Sequence, residues 1–355
     1  MPGGSVHAPA VARDAPSSPP PGHAEPRGGG SYLVYNGVLN SELTWSELRQ
    51  VERSVAPTWT LAMGDRSPLP PGAHSLGAHR YAGDVEVRLW AADDLWRVRT
   101  SDVGDFDITD GGHTITWRPS PALPRNEELA RFDILGRVLP LALHRGGALS
   151  LHGSAVATAD GAILMLGPKG RGKSTLAVAL AQSGAPLLTD DVAVVEHRDG
   201  VSMVRPGVHS VRLWPDSASQ LGTDAYGPTG SVGRKLLIHS LPDALLAMEP
   251  APISAVYLLE PTEGGDVEDE VAREHLSSVD AARRLLGQAT AGNLLGGAAA
   301  AQLLERTAEM VRRAPTYVLR IPRSMTKLPQ VVDQLLGWHG DAIVRAPSRY
   351  TRTSS

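Results

Sequence analysis

The chain has 355 residues, a formal net charge of −4 and an isoelectric point of about 6.3. It therefore lacks the global basic character that favours nucleic acid or an anionic membrane, and we expect neither as a partner. At about 150 residues per domain the length predicts two domains, one of them large enough for a catalytic core. No cysteine is present, which excludes disulfides and cysteine-based zinc or redox chemistry.

The first 30 residues are crowded with proline, glycine and alanine. They contain no apolar segment behind a basic start, so they do not resemble a secretory signal, and we predict a disordered leader over residues 1–30. The longest apolar stretch, Leu294 to Leu304, is too short and too rich in glycine to span a bilayer. We therefore expect a soluble, cytoplasmic protein.

Residues 31–125 predict a small β-rich accessory domain. Its β-prone runs are Tyr32 to Leu39, Val85 to Trp90 and Leu95 to Thr100. A hairpin is expected where Phe106 to Ile108 faces Thr114 to Trp117 across the turn Asp110-Gly111-Gly112.

A helix is predicted next, at the start of a catalytic domain that we expect to cover residues 126–340, with a loose tail over 341–355. Asn126 is suited to cap the helix, and acidic residues follow in its first turn. Apolar side chains then recur at helical spacing, at Leu129, Phe132, Leu135 and Leu139. We expect a bend at Pro140 and an end near Gly146-Gly147.

A phosphate-binding loop is predicted between Gly167 and Ser174, where the sequence reads G-x-x-x-x-G-K-S. An apolar strand, Ala162 to Leu166, precedes it, and an alanine- and leucine-rich helix, Thr175 to Gln182, follows. In such loops backbone N–H groups converge on the phosphates, the lysine reaches the same oxygens and the serine hydroxyl ligates Mg²⁺. The expected cofactors are thus ATP and Mg²⁺. The predicted nucleotide-binding residues are Gly167, Pro168, Lys169, Gly170, Arg171, Gly172, Lys173, Ser174 and Thr175.

Two further sets of residues could act on a bound nucleotide. Asp190 and Asp191 follow a short apolar strand, Leu187 to Thr189. If both were extended their side chains would point to opposite sides, whereas a turn would bring both inward. His152 lies in another short strand, Ser150 to Val156, as either a hydrogen-bonded structural residue or a catalytic one.

The spacing of these residues resembles a known family. Asp190 lies 17 positions after Lys173 (190 − 173), which is a short interval. Together with the paired aspartates and with His152-Gly153 before the loop, it resembles the HPr kinase/phosphorylase family and related serine kinases, including lasso-peptide tailoring kinases. The resemblance covers about Leu149 to Val195, with weaker marks as far as Lys235. It implies an α/β fold, with a P-loop HPr-kinase/PEP-carboxykinase-like catalytic domain behind the small N-terminal β-rich domain.

The resemblance also implies an activity and roles for individual residues. The activity is ATP- and Mg²⁺-dependent transfer of the γ-phosphate to a serine hydroxyl of a peptide or protein, as in peptide tailoring. Asp190 would be the base, Asp191 and Ser174 would serve Mg²⁺, and His152 would act beside the phosphates as a donor or orienting group. Thr175 stands where HPr kinases carry an acidic residue, so HPr as substrate, reverse phosphorolysis and a homo-oligomer stay open.

Four cations follow the aspartate pair, namely Arg205, Arg212, Arg234 and Lys235. Arg212 and Lys235 are candidates for a clamp on the transferred phosphate, although surface cations are common. The later predicted elements are a strand at Pro252 to Leu259, an acidic loop at 263–270, helices at Ala281 to Leu304 and Leu303 to Arg313, a strand at Thr316 to Ile321 and a last helix ending at Trp338.

The sequence leaves three alternatives to a peptide or protein kinase open. A nucleotide-binding regulator would bind ATP without transferring phosphate. A kinase of free serine or of another small alcohol would need no peptide, and a carboxykinase-like enzyme would act on oxaloacetate.

Overall fold

The computed structural model describes residues 29–340, except 53, 82, 227–229, 233, 240, 261–269 and 323. Most of the predicted leader, the predicted tail and nearly all of the predicted acidic loop therefore lie outside the described residues. The described part is mixed α/β with three sheets, which confirms the expected class, whereas the P-loop domain type and the boundary at residue 125 stay predictions.

No helix within the described ranges is long and apolar enough to cross a membrane.

The first sheet has nine strands in the order β3-β1-β2-β4-β9-β8-β7-β6-β5. These are β1 Gly30–Val34, β2 Gly37–Ser41, β3 Arg49–Val51, β4 Trp59–Met63, β5 His74–Arg80, β6 Glu86–Ala92, β7 Leu95–Thr100, β8 Gly104–Thr109 and β9 Thr114–Pro119. The predicted hairpin is confirmed, because β8 and β9 pair antiparallel with Ile108 opposite Ile115. Its turn residues Asp110, Gly111 and Gly112 all have positive φ.

The β-prone run from Tyr32 to Leu39 forms a hairpin of two strands, β1 and β2. Its two turn residues, Tyr35 and Asn36, have φ values of 48° and 57°. Positive φ at both central residues is typical of the tight turn that joins twisted antiparallel strands, and asparagine tolerates it well. The turn buries the Tyr35 side chain, which is 1% exposed.

The helical segment after residue 126 has three parts, α1 Glu127–Asp133, a π-helical turn Ile134–Val138 and α2 Leu139–Arg145. The predicted cap is confirmed, since the Asn126 side chain accepts a hydrogen bond from the Leu129 N–H at 3.0 Å. Where we expected a bend, a π-helical turn comes just before Pro140, a residue that has no N–H to donate. The apolar side of these helices packs in the same core as the first sheet.

The remaining elements form two sheets and their covering helices. The strands are β10 Leu149–Thr158, β11 Gly161–Leu166, β12 Leu187–Thr189, β13 Val192–Arg198, β14 Val201–Val204, β15 Val211–Leu213, β16 Gly230–Val232, β17 Lys235–Ile238, β18 Ala251–Glu260, β19 Ala272–His275 and β20 Thr316–Arg320. The helices are α3 Lys173–Gln182, α4 Pro215–Gln220, α5 Ser278–Leu286, α6 Gly297–Arg313 and α7 Leu328–His339. In the larger sheet β11 lies between β10, which is antiparallel to it, and β18, which is parallel, while β15, β17 and β16 form a small separate sheet.

The helix predicted from Ala281 to Leu304 is interrupted between α5 and α6. The His152 N–H donates to the Gln288 carbonyl at 2.7 Å, and the Thr290 N–H donates to the Ser150 carbonyl at 3.0 Å. Gly297, at the start of α6, has a φ of 57°, which a helix interior does not allow. The interrupting segment therefore satisfies backbone groups of β10 next to His152.

Candidate functional site

The predicted phosphate loop lies between the buried strand β11 and the ten-residue helix α3. Its glycines Gly167, Gly170 and Gly172 have φ values of 134°, 84° and 86°. A Cβ on Gly167 would lie 2.8 Å from the Leu259 carbonyl oxygen, so a larger residue does not fit there. The loop thus has a conformation that glycine adopts readily, and it ends at a helix N-terminus, as an anion cradle requires.

Lys173 is the buried cation of this loop. Its Nζ donates to the carbonyl oxygens of Gly167 at 2.7 Å and Pro168 at 3.2 Å. Burial lowers the pKa of Lys173, and the charges of Asp190 and then Asp191 raise it part of the way back. The ammonium is therefore bound to the loop and within electrostatic range of both aspartates.

The other loop residues are more open. Pro168 and Lys169 are exposed, whereas Arg171, Ser174 and Thr175 are half-buried.

The two aspartates follow β12 but do not alternate as they would on an extended strand. Asp190 is 4% exposed, and its Oδ1 accepts a hydrogen bond from the Ser154 hydroxyl at 2.6 Å. Asp191 has a φ of 70°, and the Val192 N–H closes the turn around it by donating to the Asp190 carbonyl at 2.9 Å. The turn directs both carboxylates to Arg212. The backbone N–H of Arg212 donates to Asp190 Oδ2 at 3.3 Å, and its guanidinium donates to Asp191 Oδ2 at 2.7 Å.

His152 contacts the second aspartate. Its Nδ1 lies 3.0 Å from the Asp191 carbonyl oxygen and 3.4 Å from Asp191 Oδ1. Both oxygens only accept, so Nδ1 carries the proton. Burial lowers the pKa of His152, although the Asp191 charge opposes the shift, so the ring is neutral at pH 7. In this state His152 orients Asp191.

Of the four cations singled out in the sequence, Arg212 and Lys235 lie together beside the aspartates. Lys235 Nζ donates to the Arg212 carbonyl at 3.4 Å. Burial lowers the pKa of Lys235, and the charges of Asp190 and Asp191 raise it. Arg205 instead pairs with Glu196 at 2.6 Å, and Arg234 is exposed.

Three side chains at the site were missed by sequence reasoning. Ser154 is two residues beyond His152 on β10, and strand alternation could have indicated it. Tyr35 and Phe132 come from the first 145 residues and carry no local signal. The Tyr35 hydroxyl donates to the Leu135 carbonyl at 3.2 Å, and burial together with the Asp191 charge raises its pKa.

Phe132 approaches the site from α1. The guanidinium carbon of Arg212 lies 4.9 Å from the centre of its ring, within range of a cation–π contact.

The donor atoms present suit Mg²⁺ held jointly with a nucleotide. Ser174 offers a hydroxyl in the first turn of α3, and Asp190 and Asp191 offer carboxylates, which are the hard oxygen ligands that Mg²⁺ prefers. Within the described ranges no group of three or more His, Cys, Asp or Glu side chains could hold a metal by itself. Mg²⁺ commonly takes only one or two carboxylates and completes its shell with phosphate oxygens and water.

Comparison with known proteins leaves the family open. No family model matches the chain, and no curated protein matches it. Among solved structures it is similar to the Hpr(Ser) kinase/phosphatase from Coxiella burnetii, with a TM-score of 0.28 and 14% sequence identity, over 54% of this chain and 95% of that one. A likeness of this size shows neither family membership nor function.

Proposed function

We propose that the protein is an ATP- and Mg²⁺-dependent kinase that transfers the γ-phosphate to a serine hydroxyl of a peptide or protein. The observation that supports this most is a pair of carboxylates, Asp190 and Asp191, which Ser154 and Arg212 hold by hydrogen bonds within electrostatic range of the loop lysine, Lys173. Phosphoryl transfer needs phosphate positioning, charge neutralisation and a carboxylate that accepts the hydroxyl proton, and it needs no covalent nucleophile.

The phosphate loop, Gly167 to Ser174, would bind the triphosphate, with backbone N–H groups and Lys173 as the donors. Ser174 and one aspartate would hold Mg²⁺, which neutralises charge on the phosphates when bound. Arg212 and Lys235 would hold the transferred phosphate from the acceptor side.

The surroundings of the two carboxylates favour a division of roles opposite to the one that the resemblance implied. Asp190 is buried, and its charge raises the pKa of Lys173 and of Lys235 more than that of Asp191 does, so it would serve Mg²⁺. The side chain of Asp191 is 35% exposed, so an incoming hydroxyl can reach it. The hydroxyl would give its proton to Asp191 as its oxygen bonds to the γ-phosphorus, and the bond to ADP would break.

The decisive experiment incubates the protein with γ-labelled ATP and Mg²⁺, and in turn with serine-containing peptides, HPr and free serine. We expect label on a peptide or protein. Asp191→Asn should retain ATP binding and lose about 10²–10⁴-fold in turnover, as expected for a general base. Asp190→Asn should lose turnover and raise the Mg²⁺ concentration needed for half-maximal rate.

Two control variants separate these roles from general damage. Lys173→Met should abolish the stabilisation of the protein by ATP in thermal melts. Asp333→Asn, on the exposed side of α7, should change none of these measurements. Tight ATP binding without any transfer would indicate the regulator instead, transfer only to free serine would indicate a small-alcohol kinase, and turnover of oxaloacetate alone would indicate a carboxykinase.

A further inference from the structure

Phe132 is an aromatic residue that the hydrophobic core does not use. It lies on α1 and is 41% exposed. Its helical neighbours Leu129 and Leu135 pack into the core of the first sheet, whereas Phe132 belongs to none of the cores that the described residues form. Its ring instead lies over Arg212, whose guanidinium carbon is 4.9 Å from the ring centre. Burial therefore does not account for an aromatic ring at this position, and the contact with Arg212 does.

The Arg212 side chain depends on few contacts for its position. Its backbone is fixed, because the N–H donates to Asp190 Oδ2 at 3.3 Å and the carbonyl accepts from Lys235 Nζ at 3.4 Å. The side chain beyond it is long and has many rotamers. Within the described residues its guanidinium contacts two groups, Asp191 Oδ2 through a hydrogen bond of 2.7 Å and the Phe132 ring. The carboxylate and the ring together therefore set where the guanidinium lies.

These two contacts respond differently to the proposed reaction. Asp191 becomes neutral when it takes the hydroxyl proton, and a hydrogen bond from Arg212 to a neutral carboxyl is weaker than one to a carboxylate. The ring attracts the guanidinium through its quadrupole, which does not change when Asp191 is protonated. The ring also uses none of the guanidinium N–H groups as hydrogen-bond donors to oxygen, so those that Asp191 does not use remain available for phosphate oxygens.

Tyr35 fixes the helix that carries Phe132 against the strand that leads to the aspartate pair. Its hydroxyl donates to the carbonyl of Leu135, three residues after Phe132, at 3.2 Å. Its ring is 1% exposed, and Cε1 would lie 3.5 Å from a Cβ on Gly207. The Gly207 N–H in turn donates to the Leu188 carbonyl on β12 at 2.8 Å. The helix is thus tied through buried contacts to the strand that ends at the aspartates.

On this basis, and resting on the proposed kinase function, we propose that Phe132 is a positioning residue, which holds the Arg212 guanidinium for the transferred phosphate by a cation–π contact. It keeps Arg212 in place while Asp191 loses its charge. The segment that precedes β10 in the chain thereby contributes to transfer, although it contains none of the residues of the phosphate loop or of the aspartate pair.

The test compares two replacements of Phe132. Phe132→Leu keeps an apolar side chain and removes the ring, whereas Phe132→Tyr keeps the ring. The assay uses γ-labelled ATP, Mg²⁺ and the acceptor that takes most label among serine-containing peptides, HPr and free serine. Phe132→Leu should lower kcat by about 2- to 30-fold, the range that a cation–π contact supplies, and should leave the Kd for ATP unchanged. Phe132→Tyr should restore kcat to within about twofold of the unaltered protein. Leu304→Ala, which shortens an exposed apolar side chain on α6, is the control and should change neither value.

A second background shows whether the ring acts through Arg212. In Arg212→Gln the cation is absent, so adding Phe132→Leu should lower kcat no further. The positioning role is overturned if Phe132→Leu has the kcat of the unaltered protein, or if Phe132→Tyr loses as much as Phe132→Leu. An equal fold-loss from Phe132→Leu with and without Arg212 would also overturn it. In each of these cases the kinase function is left intact.

Failure of the proposed function has a different signature. In that case the unaltered protein transfers label to none of the acceptors, and the positioning role in transfer fails with it. Thermal melts test the contact without turnover. The change in melting temperature caused by Phe132→Leu should be more negative in the unaltered protein than in Arg212→Gln, and equal changes would show that the ring does not hold Arg212.

Discussion

The two buried serines of β10 give the sharpest test of how the aspartate pair is held. Ser154 is fully buried, and its hydroxyl donates to the Asp190 carboxylate, which is 4% exposed, at 2.6 Å. Ser150, on the same strand, is 7% exposed, and its buried hydroxyl oxygen makes no hydrogen bond within the described structure. The same substitution, serine to alanine, should therefore have opposite effects at the two positions.

The expected magnitudes follow from the partner of each hydroxyl. A hydrogen bond to a charged group contributes about 1.5–3 kcal/mol, and its loss leaves a buried carboxylate oxygen without a donor, so Ser154→Ala should lower the free energy of unfolding by that amount. Ser150→Ala removes a buried polar atom that has no partner, so it should be neutral or stabilise by up to about 1 kcal/mol. Both changes delete one oxygen from the same strand, so the cavity contribution is similar.

Urea unfolding at pH 7, followed by tryptophan fluorescence, measures both values from the midpoints and slopes. The double variant Ser154→Ala/Asp190→Asn adds a check, because groups in direct contact should show a coupling energy of about 0.5–3 kcal/mol. If Ser154→Ala is as stable as Ser150→Ala, or if the coupling energy is zero, the Ser154 hydroxyl does not support Asp190.

Three further outcomes are expected. Burial lowers the pKa of His209 to about 4, so between pH 6.5 and pH 4 this side chain binds a proton in the unfolded chain but not in the native state. The free energy of unfolding should therefore fall towards pH 4 by up to about 1.4 kcal/mol per pH unit. His209→Gln should flatten this slope in urea titrations. Gly207→Ala would put a Cβ 2.0 Å from Thr189 Oγ1, so it should lower both the melting temperature and the turnover. Gly337 lies inside α7, where a Cβ would have nothing within 4 Å, so Gly337→Ala should raise the free energy of unfolding by about 0.5–1 kcal/mol. Arg212→Lys keeps the charge but loses the planar fork and the stacked face, and kcat/KM measured on the best acceptor should fall at least about tenfold.

The features predicted most closely from the sequence are those specified by contiguous residues. The strand before the phosphate loop and the helix after it follow from local composition, and the helix begins at Lys173, two residues before its predicted start. The Asn126 cap and the β8–β9 hairpin are equally local. The roles of the loop and of the aspartates stay predictions, since they depend on ligands.

The errors arose where distant parts of the chain override local preference. Ala281 to Leu304 has good helix formers, yet the backbone at Gln288 and Thr290 bonds to β10 instead of continuing the helix. Phe132 belongs to the helical apolar spacing of α1, yet its ring lies exposed over Arg212. No pattern within α1 could indicate that partner, 80 residues further along the chain (212 − 132).

The position of the Asp191 carboxylate depends on a backbone conformation that most residues avoid. A φ of 70° is costly for a side chain with a Cβ, by roughly 1–2 kcal/mol, and aspartate and asparagine tolerate it best. An extended backbone would send the Asp191 carboxylate to the side of the strand away from Asp190, so the pair exists only because this turn is held. Two interactions hold the turn: the Thr189 hydroxyl donates to the Val192 carbonyl at 2.7 Å, and Asp191 forms an ion pair with Arg212. Asparagine is therefore the informative replacement at Asp191, because it removes the charge while still accepting the turn, whereas alanine would change the charge and the backbone together.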